Sequence, residues 1–484
     1  MEFITAKDLI PLIPEIILSV AALLVMMVDL FAPKEHRTNT LVIATLGAFA
    51  LALIAELQLY GMNASGFYGT VVADGYSILF ESIYLVVGCL TVLLSRQYLA
   101  DQRMNYGEYY VLLLCSVIGM MFMTSSLELL VIFIGLEIMS ISSYILVGMR
   151  RGEARSSEAA LKYLLLGAFS TGFLLYGISL LYGATGSTVI PEIIYTLNQP
   201  GGASNPLAIV GVSLIIISVG FKVAVVPFHM WTPDVYTGAP TPVTGFMSAA
   251  AKAAGFAMLV RILLTGVPLE AEQWSNLLWI ISVLTMTVGN LMALQQSSVK
   301  RMLAYSSIAH AGYVMVAVTV GTSSALSGIL FYSCAYAIMG TGAFGILTIP
   351  CKGKTPDTFE DLAGYAKQRP FLAFLMTLFM LSLIGLPLTG GFVGKLQIFS
   401  AALEEGWVWL TIIGVLNSGL SVYYYLRVVV YVYMRESEAT EEAPEAQTSG
   451  FAVAGLIGSA IAVLYLGVFP ETFLELAALS IRGL

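Results

Sequence analysis

Residues 385–399 read GLPLTGGFVGKLQIF, and they follow an uncharged apolar run, PFLAFLMTLFMLSLI, at 370–384. A proline, Pro387, two adjacent glycines and a lysine, Lys395, therefore share one long apolar tract. Inserting a lysine at the centre of a membrane span costs at least ~2.5 kcal/mol. A proline inside a helix removes a backbone hydrogen bond. Both are tolerated at membrane depth only where protein or water satisfies the freed polar groups. The stretch predicts a helix broken near Pro387, with Lys395 facing a hydrated interior and Gly390, Gly391 and Gly394 leaving room for water. A phosphate-binding loop is the competing motif. It fails because Thr389 stands where the first glycine belongs and Leu396 follows the lysine.

The rest of the chain has the same character. Of its 484 residues, 58% are hydrophobic and 11% charged, and the mean hydropathy is +0.87. Soluble domains carry about 25% charged residues. Apolar runs of about 20 residues recur from end to end, which predicts an all-α integral membrane protein. The short alternating segments of a barrel are not visible. Fourteen spans are expected, near 10–31, 40–60, 74–95, 108–124, 127–148, 160–183, 207–227, 241–263, 275–294, 302–321, 326–349, 370–390 (running on toward 403), 407–433 and 451–469. No basic start with a small-residue cleavage site precedes the first run, so no signal peptide is expected. Cys89, Cys115, Cys334 and Cys351 are scattered without metal-ligand spacing. The net charge of −8 gives no nucleic-acid signal.

Lysine and arginine set the expected orientation. The loops after spans 1, 3, 5, 9, 11 and 13 hold the basic residues, among them Lys34, Arg150, Arg151, Lys300, Arg301, Lys352, Lys354 and Arg435. The positive-inside rule puts these loops in the cytoplasm and both termini outside, as an even span count requires. The stretch 434–449, MRESEATEEAPEAQTS, reads as a solvated acidic linker. Pro227 ends span 7 as Pro387 interrupts span 12, and each span is fourth in a group of five. The expected organisation is a three-helix segment (1–105), two inverted five-helix repeats (106–268 and 269–434), and an acidic loop with the last helix (435–484).

Five cationic side chains fall within or near spans: Lys162, Lys222, Lys252, Lys395 and Arg427. Glu137 and His310 fall mid-span. Polar residues accompany them at helical spacing: Ser140 and Tyr144 after Glu137, Ser218 before Lys222, Ser248 before Lys252 and Ser306 before His310. Such faces suit a hydrated interior; small residues easing helix packing are the other reading. Desolvation disfavours an ammonium and a nearby carboxylate favours it. At an effective dielectric near 20, parting such a pair from ~4 to ~7 Å loses about 1.8 kcal/mol. A small helix movement can thus release a proton, and Glu137 with Lys222 is the expected pair. Arg427 reads as an anchor or an interfacial side chain.

FKVAVVPFHMWTPDVYTGAPTPVTGFMSAAAKAAG (221–255), KRMLAYSSIAHAGY (300–313) and 385–399 resemble signatures of the antiporter-like membrane subunits of respiratory complex I. The resemblance covers most of the chain. Within that family it is most similar to the N-type subunits. Lys395 stands where M-type subunits carry glutamate, and the lateral helix of L-type subunits does not follow span 14. The resemblance implies proton translocation through Glu137, Lys222, Lys252 and Lys395. It implies supporting relay or ion-pair roles for His229, His310, Glu158 and Lys162. As an isolated residue, His229 fits a structural hydrogen-bonder as well as a relay.

The resemblance further implies a bacterial inner-membrane translocase subunit beside M-like and K-like neighbours, in contact with lipid. NAD, FMN, iron–sulfur clusters and quinone would be handled by partner subunits, with no cofactor in this chain. Two other functions remain open on sequence. One is a subunit of a multisubunit cation/proton antiporter. The other is a redox subunit binding haem or quinone, which the scarcity of histidines near membrane depth disfavours for haem.

Overall fold

The computed structural model describes residues 5–33, 36–202, 204–263, 272–351, 355–436 and 448–482. Lys34, Lys352, Lys354 and most of the acidic linker lie outside the described residues. Among the described residues, thirteen helices are long and apolar enough to cross a membrane. A shorter apolar helix, Pro370–Ile384, is continued by Gly390–Glu404 and supplies the remaining expected span. The protein is a multi-pass, all-α membrane protein.

Most expected boundaries lie within a few residues of the helix ends. Span 6 starts earlier than read, as Ala154–Thr185, so Glu158 and Lys162 sit in its first turns. Span 7 ends sooner, as Pro206–Val223, with Ala224 in the left-handed region at φ 62°. Pro227 lacks an N–H and keeps its predecessor out of helical geometry, so the helix must close before it. A short helix, Trp231–Gly238, follows the break. Span 12 is interrupted in the same way: Gly385 caps Pro370–Ile384 at φ +89°, and Leu388 has φ 72°.

Three small elements had no clear sequence signal. A hairpin pairs Ala64–Gly66 with Val71–Ala73 between spans 2 and 3. The helix Ile190–Leu197 lies between spans 6 and 7. The helix Glu471–Ile481 follows span 14 and packs on spans 3 and 11, where a Cβ at Gly75 would lie 2.9 Å from Ser480.

Span 8 (Thr241–Leu263), span 10 (Val299–Val320) and span 11 (Ser323–Ile346) form the buried centre. Outer helices turn apolar side chains such as Leu23, Leu30, Phe169 and Trp409 outward, as expected of a surface in contact with lipid tails. Glycine permits the closest approaches. A Cβ at Gly119 would lie 2.5 Å from the Gly135 carbonyl across spans 4 and 5.

The glycines of span 12 serve the same purpose, which corrects the expectation that they make space for water. A Cβ on Gly391 would collide with the Ser382 carbonyl oxygen, and one on Gly394 would lie 2.5 Å from the Tyr332 ring. They let the second half-helix pack tightly against the first and against span 11.

Candidate functional site

Lys222 lies in the last turn of span 7 and is almost wholly buried. Its ammonium donates to Ser140 Oγ at 3.0 Å and the Tyr163 hydroxyl at 3.2 Å. The Tyr163 ring stacks on Trp231 at 4.6 Å, which fixes the hydroxyl. Glu137 lies within electrostatic reach of Lys222, but no ion pair within 4 Å joins them among the described residues. Glu137 Oε1 is buried without a hydrogen-bond partner. The expected direct pair is therefore not formed: Ser140, one turn along from Glu137, takes the contact. Ser218, expected to serve Lys222, instead faces Ser170 at 3.1 Å.

Lys252 follows a π-turn over Met247–Ala251, a widening of the helix often found at functional sites. Its ammonium donates to the carbonyl and the hydroxyl of Ser307 on span 10, at 2.7 and 2.8 Å. Gly255, one turn later, brings span 8 onto span 7: a Cβ there would lie 3.7 Å from the Lys222 side chain. His229, in the break after span 7, is half-buried and within electrostatic reach of Lys252. Its Nδ1 has no partner among the described residues.

A cavity of about 20 Å³ separates Lys252 from His310 and is lined by Ser307, Tyr332 and Tyr336. That is room for one water molecule. His310 Nδ1 meets the Tyr332 hydroxyl at 2.5 Å and Nε2 meets the Tyr425 hydroxyl at 2.9 Å. Tyr425 is also bonded to Ser306. From His310 the polar line runs past Tyr313, ring centroids 5.5 Å apart, to Lys395, whose ammonium lies 4.9 Å above the Tyr313 ring.

Lys395 spans the break in its own helix. Its ammonium donates to the carbonyls of Leu383 and Ile384 at 3.1 and 2.8 Å, and to Ser418 Oγ at 2.9 Å. It thus caps the open carbonyl end of Pro370–Ile384, the negative end of that helix.

Glu158 and Lys162 form the expected ion pair at 2.8 Å. They are on the surface, lining a polar cleft of about 350 Å³. The sequence reading missed their partner, Asp234, which binds Lys162 at 2.8 Å and Arg301 at 3.0 Å. Burial pushes the Asp234 carboxyl up; Lys162 and Arg301 outweigh it and hold the carboxyl below the usual range. Lys300, assigned to a loop on sequence, is buried and donates to the carbonyls of Thr237 and Ala239 at 3.3 and 2.5 Å. Arg427 anchors span 13, donating to the Gln296 carbonyl and lying 4.1 Å above the Phe359 ring.

Among the described residues, no group of three His, Cys, Asp or Glu side chains is placed to hold a metal. The site is a file of lysines, hydroxyls and one histidine running between interrupted helices. Fold and buried lysines together place the chain in the class of antiporter-like membrane proteins. The family described as "NADH:quinone oxidoreductase/Mrp antiporter, TM" matches residues 126–421. The chain is 47% identical to NADH-quinone oxidoreductase subunit N of Trichlorobacter lovleyi, over 97% of this chain and 96% of the relative. It is 41% identical to a subunit N of Solibacter usitatus, over 99% and 98%.

Among solved structures, a chain of respiratory complex I from Thermus thermophilus with bound aureothin superposes with a TM-score of 0.82. The two are 36% identical over 96% of this chain and 100% of that one. A chain of the Mrp complex from Dietzia shares the fold, with a TM-score of 0.85 over 99% and 98% of the chains at 21% identity. The chain belongs to the family of NADH-quinone oxidoreductase N subunits.

Proposed function

We propose that the chain is a proton-translocating membrane subunit of an NADH:quinone oxidoreductase. Protons move along Glu137, Lys222, Lys252, His310 and Lys395, driven by redox chemistry in partner subunits. One observation carries this reading: each of the three lysines of the axis, Lys222, Lys252 and Lys395, has a hydroxyl partner and no carboxylate partner among the described residues. A hydroxyl accepts from an ammonium and can turn to donate to a neutral amine. Each lysine can therefore lose a proton without orphaning a buried polar group. A carboxylate in contact would instead hold the charged form.

Glu137, half-buried and out of contact with Lys222, acts as a movable bias on that lysine. His229, one side of the Lys252 helix, and His310, beyond the small cavity, serve as relays. The surface ion pairs of Glu158 and Lys162 support the cleft by which protons would enter. Spans 4–8 and 9–13 are read as inverted repeats, each interrupted in its fourth helix. The chain would sit in a bacterial inner membrane with both termini outside, beside M-like and K-like subunits and lipid. NAD, FMN, iron–sulfur clusters and quinone belong to the partners.

Near-full-length relatives at 41–47% identity favour this reading over a cation/proton antiporter, since the Mrp likeness at 21% supports only the fold. The test is the purified complex in sealed vesicles, with Lys252→Arg in this chain. The guanidinium keeps its charge but does not release its proton, so NADH-driven pumping should fall while the complex assembles. Undiminished pumping would refute the proton axis, and sodium-dependent pumping would favour the antiporter.

A further inference from the structure

Three buried carboxyl groups lie outside the axis, in the three-helix segment at the start of the chain. Glu15 is in the first turn of span 1, Glu56 near the end of span 2 (Arg37–Leu59), and Glu81 in the second turn of span 3 (Gly75–Asp101). The helices alternate in direction, so all three stand near the membrane face at which the chain begins. Each is at most 3% exposed.

Glu56 and Glu81 are neighbours, and each keeps one carboxyl oxygen buried without a hydrogen-bond partner among the described residues. Two adjacent buried carboxyl groups cannot both stay charged without a cation between them, so the pair favours holding a proton. Independently, Glu15 sits beside Glu56 with both oxygens buried and without a hydrogen-bond partner among the described residues. An unpaired charge there would cost far more than a neutral acid.

The other groups facing the cluster do not neutralise it. Asp74 is near Glu81 and adds negative charge. The guanidinium within reach of Glu81, Arg261, is bound to Asp74 at 2.7 and 3.0 Å. The hydroxyls of Tyr76 and Tyr84 are engaged elsewhere, on the Ala257 carbonyl at 2.9 Å and on Thr124 at 2.8 Å. Arg261 lies in the last turn of the helix that begins at Lys252. The cluster therefore adjoins the end of the central span that carries the middle lysine.

We propose that Glu15, Glu56 and Glu81 form a second proton-holding site, which exchanges protons with the bulk phase at the face where the chain begins. Each uptake converts one carboxylate to a carboxylic acid, and each release reverses it, with no other bond made or broken. The ligand is the proton: among the described residues the three are not arranged to grasp a metal. That the protons exchanged here come from the lysine axis rests on the function proposed above; that the site holds protons does not.

The test uses the assembled complex with Glu81→Gln, Glu56→Gln or Glu15→Gln in this chain. Glutamine keeps the shape and neutrality of a carboxylic acid but cannot exchange its proton. Infrared difference spectra between acid and alkaline pH, in H₂O and D₂O, would be compared with the parent complex. The expected result is loss of a deuterium-sensitive protonated-carboxyl band, with pumping slowed at unchanged assembly. Superimposable spectra in all three variants would overturn the proposal. Failure of all three to assemble would also overturn it, marking the cluster as a packing element. A lost band with unchanged pumping would keep the proton site and overturn its link to the axis. Unchanged pumping in Lys252→Arg would defeat the axis and leave the band assignment standing.

Discussion

Lys395→Glu should be worse than Lys395→Gln, although the family resemblance makes a glutamate at this position look acceptable. The Lys395 ammonium sits on the Leu383 and Ile384 carbonyls at the end of Pro370–Ile384. The end of a helix carries about half a negative charge. At ~4 Å and an effective dielectric of 20, a cation there gains about 2 kcal/mol, and an anion loses as much. Reversal of charge therefore swings the site by about 4 kcal/mol. The buried Leu383 carbonyl also loses its donor, at about 1–3 kcal/mol, while the Ile384 carbonyl keeps Ser418 Oγ at 3.4 Å.

Glutamine carries no charge and keeps an N–H₂ group, so it avoids the repulsion and part of the desolvation cost. The assay has two arms: native-gel quantification of assembled complex, and NADH-driven acidification in sealed vesicles. The expected order for assembly is parent, then Lys395→Gln, then Lys395→Glu. Both variants should pump poorly, because neither offers an amine. Lys395→Glu assembling and pumping as well as Lys395→Gln, or better, would refute the cap and restore the view that only a titratable group is needed.

Lys222→Ala should remove most pumping while leaving assembly largely intact, and Tyr163→Phe should do so more weakly because Ser140 remains as a hydroxyl partner; vesicle acidification measures both, and normal pumping in Lys222→Ala would reject its role. Gly391→Ala should abolish accumulation of the chain, since its Cβ meets the Ser382 backbone, whereas Gly172→Ala, with nothing within 4 Å, should not; membrane immunoblots compare them. Asp234→Asn removes the shared partner of Lys162 and Arg301 at sites about one-third exposed, so thermal unfolding should report a loss of only about 1 kcal/mol. Because the Asp234 carboxyl is held low, that contribution is complete above the ordinary aspartate value and fades as pH falls through the lowered one. The difference between parent and variant should thus vanish in acid, and a difference that grows there would refute the pairing.

Much of this architecture was legible because lipid imposes strict rules on composition. Apolar length marked the spans, and Pro227 and Pro387 marked the breaks. Mid-span charge marked Glu137, Lys222, Lys252, His310 and Lys395. Partners were less legible. Helical spacing pointed to Ser218 and Ser248, yet Lys222 and Lys252 reach Ser140 and Ser307 on other helices. Periodicity describes one helix face and is silent about which face it meets. Asp234, in a loop-like WTPDVYTG, carried no apolar context to make its charge conspicuous. Glu15, Glu56 and Glu81 lie near span ends, where a carboxylate ordinarily reaches water, so only packing reveals their burial.

The interrupted helices also explain how so many lysines can be buried without carboxylates. A continuous helix commits its carbonyls to its own ladder and offers a cation only a second lone pair, as Ser307 does to Lys252. Breaking span 12 frees those of Leu383 and Ile384, and Lys395 takes both. The end of the short helix after the span-7 break provides the Thr237 and Ala239 carbonyls to Lys300. Lys222 lies in the last turn of its own interrupted helix, at the negative end of that dipole. Fixed dipoles hold an ammonium more weakly than a carboxylate would, and they remain in place when the proton leaves. The proline breaks therefore do more than supply hinges: they provide a form of charge stabilisation that would survive a proton's departure, as the relay proposed above would demand on repeated loading and unloading.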